Sequence, residues 1–370
     1  MRANNVLGII YSNAYDSAIP ELTTLRTMGS VPFGGRYRLI DFALSNMVNC
    51  GMQKVGVITK SNYQSLMDHI GSGKPWDLSR KHDGMFILPP FSQSETGFYS
   101  SRIEALHGSM RFITRSDEEY VILCDCNVIC TLDLDSLFEA HSSSGADITV
   151  AYKSGKAPEL EDLMLFKTAE DGRITEAAVS GEGGEGAYSL NIFIMRKALL
   201  ERLINEAVSL HMDSFERDII QRNVSALKIY GYEVKGFARV LNSLQSYYDT
   251  SMELLMPDNR RALFVAGRPV YTKVRDDMPA IYGLGSNVKN SLVADGCIID
   301  GEVENSILFR GVRIGKDAVV KNSIVMQESF VSDSVRLDSV VIDKNTVITP
   351  GKTLCGAENY PIYIGKGLII

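Results

Sequence analysis

Apolar residues fall in two rhythms along this chain. Up to Leu255, short apolar runs alternate with stretches whose apolar positions recur every three or four residues, which predicts strands alternating with helices. The predicted strands are Asn5 to Tyr11, Val55 to Thr59, Tyr120 to Leu123, Ile148 to Tyr152, Leu165 to Lys167, Ile174 to Ala178 and Leu190 to Met195. Helices are predicted from Leu132 to Ser142 and from Lys197 to Ala207, and Asp171-Gly172 marks a hairpin. The stretch SVPFGGRYRLIDFALSNMVN, Ser30 to Asn49, organises this half. Pro32 and Gly34-Gly35 mark a tight turn, because proline fixes φ and glycine permits positive φ. Arg36 and Arg38 then enter a helical stretch with Leu39, Ile40, Phe42, Leu44 and Val48 apolar, stopped by Asn49-Cys50-Gly51. Strand, long loop, helix and strand make a βαβ unit, whose loops commonly receive phosphorylated ligands. The expected fold is an α/β sheet covered by helices on both faces, over residues 1–255.

Residues 256–286, with Pro257, Pro269, Pro279 and Gly283, read as a linker. From 287 to 370 the rhythm changes. Apolar residues recur every sixth position at Val293 and Ile299, at Leu308, Ile314, Val320 and Met326, and at Val335, Val341 and Val347, with Asp, Gly, Asn and Lys between them. Such a period predicts one short strand and one turn per face, so that three periods close a triangular coil, a parallel β-helix.

Length and charge narrow the classes. At 370 residues the chain exceeds one ordinary core, in line with two or three domains. A net charge of −7 argues against a nucleic-acid surface. No run reaches the length of a membrane span, and the start MRANNVLGII lacks a basic segment ahead of a long apolar one; the expectation is a cytoplasmic protein that binds neither membrane nor nucleic acid. Cys124, Cys126 and Cys130 sit in an apolar strand pattern without a matching Cys or His pair, and the five histidines are scattered, so no zinc site is expected.

VPFGGRYRLIDFALSN, HIGSGKPWDL from His69 to Leu78, EEYVILCDCNV from Glu118 to Val128 and SYYDTSMELL from Ser246 to Leu255 resemble the glucose-1-phosphate adenylyltransferase family, the ADP-glucose pyrophosphorylases of bacterial glycogen synthesis. The likeness spans essentially the whole chain. It implies a nucleotidyltransferase domain with a Rossmann-like mixed sheet, a C-terminal left-handed parallel β-helix, and a tetramer. In the family reaction the phosphate of glucose 1-phosphate attacks the α-phosphorus of ATP, with Mg²⁺ and basic groups neutralising the triphosphate.

The departures from the family pattern are concentrated in its site motifs. The phosphate loop GGxGxR falls on Asn13, Ala14, Tyr15, Asp16, Ser17 and Ala18, which lack its glycines and arginine, and the Lys-Pro-Ala that follows becomes Met28-Gly29-Ser30. YxGTA reads Tyr99-Ser100-Ser101-Arg102-Ile103. The metal-binding aspartate is kept as Asp125, but its partner in GYWKDVGT falls on Val240, which cannot ligate Mg²⁺. EEKP is lost, with Ser180 at its lysine, while Ser189 of the next motif is kept. By the resemblance no catalytic set is intact, with Ala18, Met28 and Val240 as degenerate positions, and Asp125 is a vestigial metal ligand. Tyr99, Asp125, Ser189, Arg217 and Asp218 are the residual substrate-binding candidates; Arg36, Arg38 and Lys74 are the candidates for an anionic effector. This erosion resembles the D-type subunits of the family. They imply a regulatory subunit with little or no activity alone and no tightly bound cofactor, partnered by a homologous catalytic subunit that uses Mg²⁺, in a heterotetramer or a homo-oligomer, with sugar-phosphate or nucleotide ligands. The alternatives are an active adenylyltransferase with an unusual nucleotide site and a stand-alone sugar-phosphate or nucleotide sensor.

Overall fold

A computed structural model describes residues 5–90 and 99–370. Its larger part is a mixed nine-stranded sheet. The strands Tyr120–Asp125, Val6–Tyr11, Lys54–Ile58 and Gly84–Leu88 lie side by side and parallel. Gly184–Arg196 joins the other edge of Tyr120–Asp125 antiparallel and carries Ile148–Ala157 and Met164–Thr168 along its length. The continuous apolar runs of the parallel strands are accounted for by burial on both sides, the usual state of parallel strands. Val6, Ile10, Val55, Val57, Ile122 and Cys124 face one core, while Leu7, Ile9, Ile58, Val121 and Leu123 face the other. The helices Leu39–Asn49 and Leu134–Ser144 cover the first side, and Arg102–Gly108 and Lys197–Ser209 the second. Gly8 permits the close approach of the Leu39–Asn49 helix, since a Cβ there would lie 2.5 Å from Met47 Sδ.

The two arginines after the glycine pair are not helical. Pro32–Phe33 and Tyr37–Arg38 form a two-stranded hairpin around Gly34 (φ 59°) and Gly35 (φ 84°), and the helix begins at Leu39. Arg38 is its N-cap: the Arg38 N–H donates to Asp41 Oδ2 at 3.0 Å, and Asp41 Oδ1 meets His69 Nε2 at 2.6 Å. Two further strands join the sheet: Gly84–Leu88, whose apolar run Met85 to Leu88 is absent from the predicted strands, and Ile229–Glu233, whose alternation of Tyr and Gly is a weak signal.

The C-terminal part is a parallel coil of three five-stranded sheets. It begins with Ile281–Tyr282, inside the segment read as a linker, and that segment also holds the helix Pro257–Leu263. Residues 264–280 run along the first domain, where the Tyr271 N–H donates to Ser45 Oγ and Asn49 Nδ2 to the Pro269 carbonyl. The six-residue stack holds at Val293, Leu308, Ile299, Ile314, Val320 and Val335, but elsewhere the interior shifts by one residue. The interior positions are Val325, Ile342 and Ile348, not Met326, Val341 and Val347. The cause is coil length: the stacked residues Ile299, Ile314, Val331 and Ile348 are 15, 17 and 17 positions apart, short of three strict hexads. Asn290, Asn305, Asp317, Asn322 and Asn345 take positive φ, which Asn and Asp tolerate better than other side chains.

Displaced by that slip, Met326 and Val341 join Ile307, Phe309 and Ile324 on the outside of the coil, in one core with Phe33, Tyr247 and Leu255 of the first domain. Tyr247 Oη donates to the Pro32 carbonyl at 2.7 Å, and a Cβ on Gly34 would meet Leu254 at 3.2 Å. The hairpin and the Leu244–Glu253 helix therefore form the seam between the domains.

Candidate functional site

A cleft of about 550 Å³ opens at the ends of the parallel strands, between the Asn13–Ala18 loop, the Ser100–Arg102 segment and Asp213–Arg217. This is where the switch of strand order in an α/β sheet places ligands. Its lining carries the carboxylates Asp16, Glu161, Asp162, Asp213 and Glu216 against the cations Lys60, Arg102 and Arg217. A cleft with that excess of negative charge is a poor seat for a triphosphate.

The loop after the first strand is closed on itself. Tyr15 adopts φ 59°, a left-handed conformation more at home with glycine. Asn13 Oδ1 accepts from the Lys60 N–H at 2.7 Å, and Asn13 Nδ2 donates to Asp16 Oδ2 at 2.6 Å. Asp16 Oδ1 accepts from the Met28 N–H at 2.7 Å, so the Asn13 side-chain amide and the Met28 backbone amide are spent on the chain's own carboxylate. Burial raises Asp16 to about 7, against the hydrogen bonds from Asn13 and Met28. The Tyr15 hydroxyl reaches across the cleft wall and accepts from Asn191 Nδ2 at 2.8 Å. Ala18 lies in the short turn that ends this loop, half-buried against the core, and Met28 is fully buried.

Asp125 ends its strand at the floor of the cleft, buried and ion-paired with Arg102. Arg102 also stands 3.4 Å from Glu216 Oε1 and faces the rings of Phe193 and Phe215. Burial raises the Asp125 and Glu216 carboxyls while the Arg102 charge lowers them. The position expected to supply the second metal ligand is brought to the right neighbourhood, because Val240 pairs with Val128 just past Asp125, and Leu241 N–H donates to the Asn127 carbonyl. These residues do not fit a magnesium ion. One carboxylate is held by a guanidinium, and the second place presents an apolar side chain where Mg²⁺ needs oxygen.

The other candidates are dispersed. Tyr99 is buried in the second core, its ring against Gly108. Ser189 is buried too, and its Oγ accepts from the Asn191 N–H at 2.9 Å, fixing the bulge that turns Asn191 toward Tyr15. Asp218 accepts from the Ser214 N–H at 3.0 Å, and Arg217 stands at the rim, its side chain 57% exposed and 3.4 Å from Asp218.

Arg36, Arg38 and Lys74 do not act together. Arg36 is exposed and lies over the Tyr37 ring; Lys74 is exposed on the turn ahead of buried Trp76. Arg38 alone turns into the seam between the domains, where Nη1 donates to Ser65 Oγ at 3.0 Å. Burial lowers it to about 10, with Asp41 acting the other way and Arg26 and Arg275 adding to the fall. Two cations join it there that the sequence did not single out. Arg26 forms a buried pair with Asp343 of the coil at 2.6 Å, and Lys344 is lowered to about 6 by burial and by Arg38 and Arg26. Asp343 also accepts from the Tyr363 hydroxyl at 2.8 Å. Lys344 was legible only as a turn residue of the coil; no local signal marks its meeting with Arg38.

Residues 19–176 match the nucleotidyl transferase family model, and residues 281–359 the GlmU-like C-terminal hexapeptide model. The second match identifies the coil as a left-handed β-helix. The chain is 35% identical to the glycogen biosynthesis protein GlgD of Bacillus subtilis, over 99% of this chain and 97% of the relative. It is 37% identical to GlgD of Geobacillus stearothermophilus, with the same coverage. With the glucose-1-phosphate adenylyltransferase of Fervidobacterium nodosum it shares 32% identity, over 94% of this chain and 85% of that one. With this architecture and these full-length likenesses, the chain belongs to the family that unites glucose-1-phosphate adenylyltransferases with the GlgD glycogen biosynthesis proteins.

Proposed function

We propose that this chain is a regulatory subunit of glucose-1-phosphate adenylyltransferase in glycogen biosynthesis, itself inactive or nearly so, and that it activates a homologous catalytic subunit. The observation that carries the reading is the cleft: Asn13 and the Met28 amide hold Asp16 and the floor carboxylates hold Arg102, where a triphosphate and a metal would have to sit. Meanwhile the hairpin, the Leu244–Glu253 helix and the coil face that join the domains are tightly packed. A subunit that transmits a conformational preference needs that seam but no chemistry; activation then requires that it bind one state of the catalytic chain more tightly than the other. Mg²⁺ belongs to the catalytic partner, and the working assembly is a heterotetramer in the cytoplasm. An anionic effector such as a sugar phosphate would enter at the seam, where Arg38, Arg26 and Lys344 converge.

Pyrophosphate release from ATP and glucose 1-phosphate tests this, with the chain alone, the catalytic homologue alone and the two co-expressed. The expected result is silence alone and a raised rate or lowered KM in the mixture. Robust turnover by the isolated chain would make it an enzyme with a rebuilt nucleotide site. Silence in both settings, with no heteromer formed, would point to a stand-alone sensor.

A further inference from the structure

Two buried carboxylates meet at the cleft floor, Asp125 and Glu216, with side chains 1% and 4% exposed. Left to themselves, such charges at close quarters would repel and take up a proton. Arg102 stands between them, bonded to Asp125 Oδ2 and 3.4 Å from Glu216 Oε1. Its guanidinium carbon lies 6.0 Å from the centre of the Phe193 ring and 5.7 Å from that of Phe215, within reach of a cation–π attraction on two sides. Its backbone is equally fixed, for Arg102 is the first residue of a helix whose N-cap, Ser101, accepts from the Glu104 N–H. A desolvated cation shared by two carboxylates at the end of a parallel strand is the electrostatic arrangement a divalent ion would provide.

We propose that Arg102 is a built-in substitute for the divalent cation, holding Asp125 and Glu216 together in the metal's place and excluding the metal from it. This goes beyond the regulatory role and does not depend on it, since it concerns the chain alone. It accounts for a carboxylate pair that stays buried although the partner position is Val240: the pair's counter-ion is supplied from within.

The test is Mn²⁺ uptake by the full chain, read as loss of the free-ion electron paramagnetic resonance signal. The wild-type chain should leave Mn²⁺ free, Arg102→Ala should take up about one ion per chain on the two freed carboxylates, and Arg102→Ala with Asp125→Asn should take up none. In EDTA, Arg102→Ala should melt roughly 10 °C below wild type, and Mn²⁺ should restore most of the loss without moving the wild-type Tm. Equal uptake by wild type and Arg102→Ala would overturn the proposal, as would a folded Arg102→Ala that binds nothing. If Arg102→Ala fails to fold, Arg102→Met is compared with Arg102→Met/Asp125→Asn/Glu216→Gln, which removes both signs of charge. Recovered folding in the triple variant supports the counter-ion role. A triple variant no more stable than Arg102→Met would show that Arg102 merely fills space.

Discussion

Asp16 sits in the loop between the Asn13 side-chain amide and the Met28 N–H, and its burial makes its charge pH-dependent. Its folded pKa, about 7, exceeds the ordinary carboxyl value of 3.8, so the native state holds the extra proton between those values. Stability contributed here is full below the lower value and is lost as pH rises toward 7. Asp16→Asn should flatten that decline, by on the order of 2 kcal/mol between pH 4 and pH 7 in urea unfolding. An unchanged slope would place the titrating group elsewhere. Val240→Asp, by contrast, should restore no detectable pyrophosphate release, because Asp16 still fills the loop and Arg102 still holds Asp125. A large gain from that one change would mean the loop remains competent for nucleotide.

Among the elements, the coil shows most directly how register assigns duty. Leu308 and Phe309 are neighbours with 0% exposure, yet one fills the coil's axis and the other joins the first domain's core. Truncating either to alanine should cost about 3–4 kcal/mol. The consequences should differ in calorimetry: Leu308→Ala lowers a single transition, whereas Phe309→Ala weakens the seam and separates the melting of the domains. Identical traces for the two variants would contradict the register. The hairpin behaves likewise. Its Gly34-Gly35 turn was legible from residue types, but its docking on Tyr247 and Leu254 was not, since those partners lie more than two hundred residues on.

For the whole molecule, the decisive contact is Arg26 with Asp343, a buried ion pair across the domain seam. Asp343→Asn should destabilise by about 3 kcal/mol, because it leaves Arg26 uncompensated beside Arg38 and Lys344. Added sulfate should recover part of the loss and raise the variant's Tm more than the wild type's. Lys344 gives a second handle. Its folded value of about 6 lies below the ordinary lysine value of 10.5, so the unfolded chain holds the extra proton between them and stability rises with pH across that window. An anion bound at the seam favours the charged form, so sulfate binding near pH 8 should take up close to one proton, read from calorimetric enthalpies in buffers of different ionisation heat. Lys344→Met should abolish the uptake. Uptake that persists in that variant would move the anion away from Lys344.

The missing phosphate-loop glycines at Asn13 to Ala18 were legible only against the family motif, whereas residue order alone set the alternation of strands and helices, the coil and the turn at Gly34-Gly35. Each is written in residue types a few positions apart, where periodicity and backbone preference act. Arg102 was visible only as a bulky intruder among small residues. That it bridges Asp125 and Glu216 depends on three segments meeting at a strand end, and charge compensation in a buried site is a property of that meeting. The same holds for Arg38: its sequence neighbour Arg36 faces solvent, while Arg26 and Lys344, from distant segments, share its surroundings. Tertiary structure alone decided which charges are neutralised from within and which stay open to a ligand, because desolvation and Coulomb energy depend on distance in space and not along the chain.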